Sequence, residues 1–211
     1  MSVLLFPPPQ PVLLLISAPS GGGKTTLCQQ LLAAVPGLAR VVTCTTRAPR
    51  PGECDGRDYH FLTPETFEQQ VAGGEFLEHA VVYGHRYGTR RAEVLDLLQA
   101  GRDVLLNVDV QGAASIRAMA ADHPALRAAL VTVFLTPPSI EILAERLRRR
   151  GQDAPAAVER RLAEARREIA EWRHFDYLVL SASVAEDLHR VQAILEAEKL
   201  RTARRPSGSG A

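Results

Sequence analysis

Short, mostly apolar runs at residues 12–16, 104–109, 130–135 and 177–181 alternate along this chain with stretches in which apolar positions recur at helical spacing. A strand covered on both faces needs no polar alternation, whereas a helix lying on a sheet needs one apolar stripe. The pattern therefore predicts an α/β fold, a parallel sheet with helices on both faces. Helices are expected at 24–34, stopped by Pro36-Gly37, and at 90–100, capped by Gly101. Others open at Gln111-Gly112, after the cap Ser139, and at Val184, the last reaching about Arg201. Residues 38–45, rich in β-branched side chains, read as one further strand.

The rhythm changes between 40 and 89. Residues 46–59 combine Pro, Gly and charge, so they form a loop, with a short strand at 59–61. Thr63-Pro64 suits a helix start, Thr as cap and Pro at the first position, and that helix breaks at Gly73-Gly74. Residues 75–89 alternate about a turn at Tyr83-Gly84-His85, as a hairpin does. The expected organisation is a core from 10–39 and 90–201, a small α+β insertion at 40–89, and flexible ends at 1–9 and 202–211.

The chemistry starts at Ala18-Pro19-Ser20-Gly21-Gly22-Gly23-Lys24-Thr25-Thr26, directly after the first apolar run and at the head of the first helix. Glycines there leave backbone N–H groups free to converge on phosphate oxygens, with the positive end of the helix behind them. In that context Lys24 would reach the β- and γ-phosphates and the Thr25 hydroxyl a magnesium ion. Ala18 stands where the usual pattern has Gly. An ordinary glycine-rich turn with a surface lysine is the plain alternative, and the strand before and helix after argue against it. Asp109, ending an apolar run downstream of a phosphate loop, is the expected carboxylate partner of that magnesium.

Composition narrows the partners. Of 211 residues, 25 are basic and 24 acidic, a net charge of +1, so no polyanion such as nucleic acid is expected as partner. The apolar N-terminus lacks a basic flank and is broken by Pro7-Pro8-Pro9, and no run of 18 apolar residues exists; the expectation is a cytoplasmic protein without membrane attachment. Cys28, Cys44 and Cys54 are odd in number and not paired in CxxC spacing, which supports neither a disulfide framework nor a protein-held zinc. Basic charge gathers at 146–167. By composition this could be a solvated helix pair; beside a phosphate loop it reads as a lid, at about 146–165, whose arginines close over phosphates.

With these parts in this order the chain resembles the guanylate kinases, a family of P-loop nucleoside monophosphate kinases. The resemblance runs from about residue 12 to 200 and is most specific in Thr43-x-Thr-Thr-Arg47-x-x-Arg50-x-Gly-Glu-x-x-Gly-x-Asp-Tyr59, then Glu75-Phe-x-Glu78 and Tyr87-Gly-Thr89. It implies a Mg²⁺-dependent transfer of the ATP γ-phosphate to GMP and dGMP, with the loop at 18–26 holding ATP. Carried over, the family's GMP-phosphate contacts fall on Arg47, Arg50, Tyr59 and Tyr87, and its guanine contacts on Thr43, Glu78 and Thr89. Asp109 matches a carboxylate beside the GMP sugar and base. The catalytic cations are Lys24, Arg47 and the lid residues Arg146, Arg150 and Arg161. There are two departures. Asn107 replaces the family's usual Asp or Glu facing the magnesium shell, and Ser181-Ala182-Ser183 replaces an Asn-Asp-Asp-like turn near adenine.

Two other functions fit parts of the pattern. A kinase of a phosphorylated sugar would use the same loop and lid but has no need of Glu78 and Thr89. A binding module that has lost catalysis would show an eroded loop; only Asn107 points that way. The number of subunits is left open by the sequence.

Overall fold

The structure, a computed structural model, describes residues 8–82, 84–149 and 155–205. Five parallel strands form the main sheet: β1 (Leu13–Ser17), β2 (Ala39–Arg40), β7 (Val104–Asn107), β8 (Leu130–Thr136) and β9 (Tyr177–Leu180), in the order β2-β7-β1-β8-β9. Successive residues of β1 divide between two cores, because side chains alternate across a strand. Leu14 and Ile16 pack with α1 (Lys24–Ala34) and α8 (Val184–Leu200). Leu13 and Leu15 pack with α3 (Arg91–Gln99), α4 (Val110–Asp122) and α5 (Pro124–Ala129). Both faces of β1 are therefore fully covered, which is why Leu13, Leu14, Leu15 and Ile16 follow one another without polar alternation. The two-faced parallel sheet expected from the sequence is present.

A second sheet, in the order β4-β3-β6-β5, joins β3 (Cys44–Thr45), β4 (His60–Phe61), β5 (Phe76–Val82) and β6 (His85–Arg90). Its helix α2 (Pro64–Ala72) starts as expected: Thr63 Oγ1 accepts from the Thr66 N–H at 3.2 Å, with Pro64 following. Phe67 and Phe76 stack with centroids 4.5 Å apart, and a Cβ on Gly88 would lie 2.9 Å from Phe76. That close approach explains the glycine between Tyr87 and Thr89. Leu77 of β5 is buried in the same core as α3 and α4, so this sheet is plugged into the main body.

Several boundaries differ from expectation. The strand expected at 38–45 is two short strands in different sheets. Between them the Val42 N–H donates to Glu93 Oε1 at 2.9 Å, and the Thr43 carbonyl accepts from the His60 N–H at 3.0 Å. The run at 104–109 leaves the sheet after Asn107, because Asp109 caps α4 by accepting the Gly112 N–H at 2.7 Å. Helix α5 was not expected; Pro124 at its first turn is its only local signal. Residues 202–204 form a 3-10 turn in which Arg204 is buried and donates to Glu198 Oε2 at 3.0 Å, so chain order extends past the expected end of the core. Of the three thiols, Cys28 and Cys44 are buried and Cys54 is exposed in the loop before β4. Burial pushes Cys28 up to about 12 and Cys44 up to about 11.

Candidate active site

The loop between β1 and α1 lies at the carboxyl edge of the sheet, beside the point where strand order reverses from β7 to β8, the place where open α/β sheets bind ligands. Gly21 and Gly23 take positive φ, 86° and 97°. Gly21 has a second reason to lack a side chain: a Cβ there would sit 2.7 Å from Leu147 Cδ2 on α6 (Ile140–Arg149). Thr25 and Thr26 are exposed in the first turn of α1, whereas Ala18 is buried below the loop and Pro19 accepts the Gly22 N–H at 2.8 Å. Gly21, Gly23, Arg146 and Arg149 line a cavity of about 250 Å³. Its lining of backbone and guanidinium suits a polyphosphate.

Lys24 turns inward, and its ammonium donates to the Val108 carbonyl at 2.6 Å. Burial lowers its pKa; the carboxylates of Asp109, Glu168 and Glu78 oppose that shift. One loop N–H is already taken, since Ser20 donates to Glu168 Oε2 at 3.0 Å, from α7 (Pro155–Ala170). Helices α6 and α7 pack through Leu143, Leu147, Val158, Leu162 and Ala165, so the expected lid is a helical pair with its own small core. Arg146 donates to Ser181 Oγ at 3.1 Å, and Arg161 is half-buried on α7. Arg150 lies outside the described residues.

The second sheet sets its polar residues opposite this loop. Glu78 on β5 and Thr89 on β6 are cross-strand partners, and the buried Thr89 hydroxyl donates to Glu78 Oε1 at 2.6 Å. Glu78 Oε2 reaches the start of α4, 3.2 Å from where a Gly112 Cβ would stand, next to Asp109. Burial raises the Glu78 pKa, and the Thr89 hydroxyl draws it part of the way back. Lys24, Asp109, Glu78 and Thr89 thus form one cluster. Arg47 lies over the Tyr59 ring at 5.3 Å, and Tyr59 meets Tyr87 edge-on at 6.0 Å. Arg50 is exposed on the same loop, and half-buried Thr43 precedes β3.

The donors for a metal are sparse. Among the described residues no group of three His, Cys, Asp or Glu side chains is gathered as for a metal ion. Thr25 and Asn107 are both exposed, and no hydrogen bond links them. One hydroxyl and one amide fit a magnesium ion that takes most of its oxygens from a nucleotide and water.

Three acidic residues of the site carry no distinguishing signal of their own in the sequence. Glu53 pairs with Arg47 at 2.9 Å and accepts the Arg50 N–H at 2.7 Å, so it shapes the whole loop. Its signal was its place in the Arg50-x-Gly-Glu53 string. Glu168 sits in an arginine-rich helix, and Asp187 looks like an ordinary first-turn acid of α8.

A parallel sheet of this order, with a phosphate loop after its first strand and a helical pair above it, defines a P-loop kinase of small molecules. The guanylate kinase family model matches residues 10–198. A guanylate kinase of Paramagnetospirillum magneticum is 46% identical over 179 residues, 85% of this chain and 81% of that protein. One of Symbiobacterium thermophilum is 45% identical, over 85% of this chain and 82% of that protein. The crystal structure of guanylate kinase from Anaplasma phagocytophilum superposes with a TM-score of 0.73 at 33% identity, covering 95% of this chain and 93% of that one. The chain belongs to the guanylate kinase family and is a nucleoside monophosphate kinase. Among the described residues no helix is long and apolar enough to cross a membrane.

Proposed function

We propose that this chain transfers the γ-phosphate of ATP to GMP, and to dGMP, giving ADP and GDP or dGDP as a cytoplasmic step of purine nucleotide metabolism. The observation that carries the reading is the single cluster of Lys24, Asp109, Glu78 and Thr89. It sets a phosphate-loop cation beside a carboxylate–hydroxyl pair able to read a base.

A phosphate oxygen of GMP attacks the γ-phosphorus in line, the bond to the β–γ bridging oxygen breaks, and ADP leaves with that electron pair. No protein nucleophile is needed, so catalysis is positioning and charge neutralisation. The loop at 18–26 cradles the ATP phosphates, with Lys24 against the β/γ oxygens. Arg47, Arg50, Tyr59 and Tyr87 hold the GMP phosphate, Arg47 being kept in place by Glu53. Thr43, Glu78 and Thr89 read guanine, and Asp109 stands by the sugar and base. The lid residues Arg146, Arg150 and Arg161 neutralise charge as the phosphoryl group moves. Magnesium, held by Thr25 with Asn107 outside it, supplies further charge neutralisation when bound with ATP.

The test is ADP release by the purified protein with ATP and Mg²⁺ and a panel of acceptors. Turnover is expected with GMP and dGMP and not with AMP, CMP or a phosphorylated sugar. Turnover with a sugar phosphate in preference to GMP, or none with any acceptor, would overturn the assignment.

A further inference from the structure

Arg146 is held by groups that lie outside the loop, the acceptor sheet and the lid. Its Nη1 donates to Ser181 Oγ at 3.1 Å, and the Ser181 hydroxyl donates to Asp187 Oδ2 at 2.7 Å. The second carboxylate oxygen, Oδ1, accepts the Ala182 N–H at 3.1 Å. Ser181 is 4% exposed and Asp187 5% exposed, so both lie away from solvent. The relay is anchored in the sheet, because the Ser181 N–H donates to the Thr136 carbonyl at the end of β8 at 2.8 Å. At its far end Arg146 borders the cavity formed with Gly21 and Gly23.

The direction of each bond follows from its donors. A carboxylate only accepts and a guanidinium only donates, so the single hydroxyl proton must point to Asp187 and an oxygen lone pair to Arg146. A long arginine side chain loses rotamer entropy when it is held still, and a charge-assisted chain in a low-dielectric setting offsets that loss. Asp187 is the partner that fixes which way the Ser181 hydroxyl points.

We propose that Asp187 is a positioning residue for phosphoryl transfer: acting through the Ser181 hydroxyl, it sets the Arg146 guanidinium over the phosphate loop. The proposal rests on the charge-neutralising role given to Arg146 above. Ser181→Ala and Asp187→Asn each break the chain, the second because an amide N–H₂ can donate to Ser181 Oγ and release the hydroxyl from its direction.

The experiment measures kcat and the KM values for ATP and GMP in Ser181→Ala, Ser181→Thr, Asp187→Asn and Arg146→Ala. It then repeats Ser181→Ala and Asp187→Asn in the Arg146→Ala background. Each single break of the chain is expected to lower kcat by about 10- to 10²-fold, the scale of a misplaced catalytic group, with KM for GMP unmoved. Ser181→Thr, which keeps the hydroxyl, is expected to retain activity. In the Arg146→Ala background neither change is expected to cost more, since coupled residues are not additive. Equal losses in both backgrounds, or unchanged kcat in folded Ser181→Ala, would overturn the relay. Should Asp187→Asn fail to fold, the Ser181→Ala and Ser181→Thr pair decides alone. A wild-type kcat for Arg146→Ala would instead sink the role of Arg146 itself, so the two failures are distinguishable.

Discussion

Lys24→Ala is expected to lower kcat for ADP formation with GMP by at least about 10²-fold, the scale of removing one preorganised electrostatic stabiliser. Lys24 is half-buried, its ammonium is held on the Val108 carbonyl, and it faces Asp109, Glu168 and Glu78. Without it the carboxylates of Asp109, Glu168 and Glu78 remain, and phosphate oxygens brought beside them lose the cation that offsets this negative charge. A low-dielectric setting enlarges that effect relative to water. The measurement is kcat of the purified variant, with a melting curve to establish that it is folded. A folded Lys24→Ala enzyme with near wild-type kcat would remove Lys24 from the transfer step.

Glu78→Gln is expected to erase most of the preference for GMP over IMP while leaving KM for ATP nearly unchanged. Guanine offers two adjacent donors, N1–H and the N2 amine, which a carboxylate accepts as a fork. The Thr89 hydroxyl donates to Glu78 and so orients the fork. Glutamine keeps the shape and one acceptor but sets a donor against a donor. Sites built on such bonds discriminate by about 10⁴–10⁵ and shape alone by about 10². Acidification should act in the same direction. Burial raises the Glu78 pKa above its ordinary 4.5, so the wild-type KM for GMP should climb as pH falls through that raised value. In Glu78→Gln that component is absent, and titration of the GMP phosphate is common to both proteins. Folding responds with the opposite sign: a carboxyl that binds its proton more tightly when folded stabilises below its unfolded pKa and loses that contribution as pH rises. At neutral pH Glu78→Gln should therefore melt no lower than wild type. If the GMP-to-IMP ratio and the pH dependence both match wild type, Glu78 does not read the base.

Much of this is legible in the residues. The strand, loop and helix at 12–34 stand out because a doubly covered strand, positive-φ glycines and a helix start are all local requirements. Gly88 is legible only as a letter in a string; its cause, the Phe67–Phe76 stack, needs the folded sheet. The division of 38–45 between two sheets depends on Glu93 and His60, distant in sequence, which take up the backbone groups of Val42 and Thr43. Asp109 shows the same limit. Apolar continuity extends the strand to it, yet its side chain caps the next helix, because a short acid can satisfy an orphan N–H there. Glu168 and Asp187 escape notice because an acid on a helix is unremarkable until its partner, a loop amide or a serine, is known.

The unequal burial of the three cysteines gives the protein a ready point of attachment. Only a thiolate attacks an electrophile, and Cys28 and Cys44 are enclosed and held far from ionisation at neutral pH. A maleimide dye is therefore directed to Cys54, on the loop between Arg47 and Tyr59. The unaltered sequence can carry a single fluorophore there, next to Glu53, as a direct optical reporter of the acceptor loop.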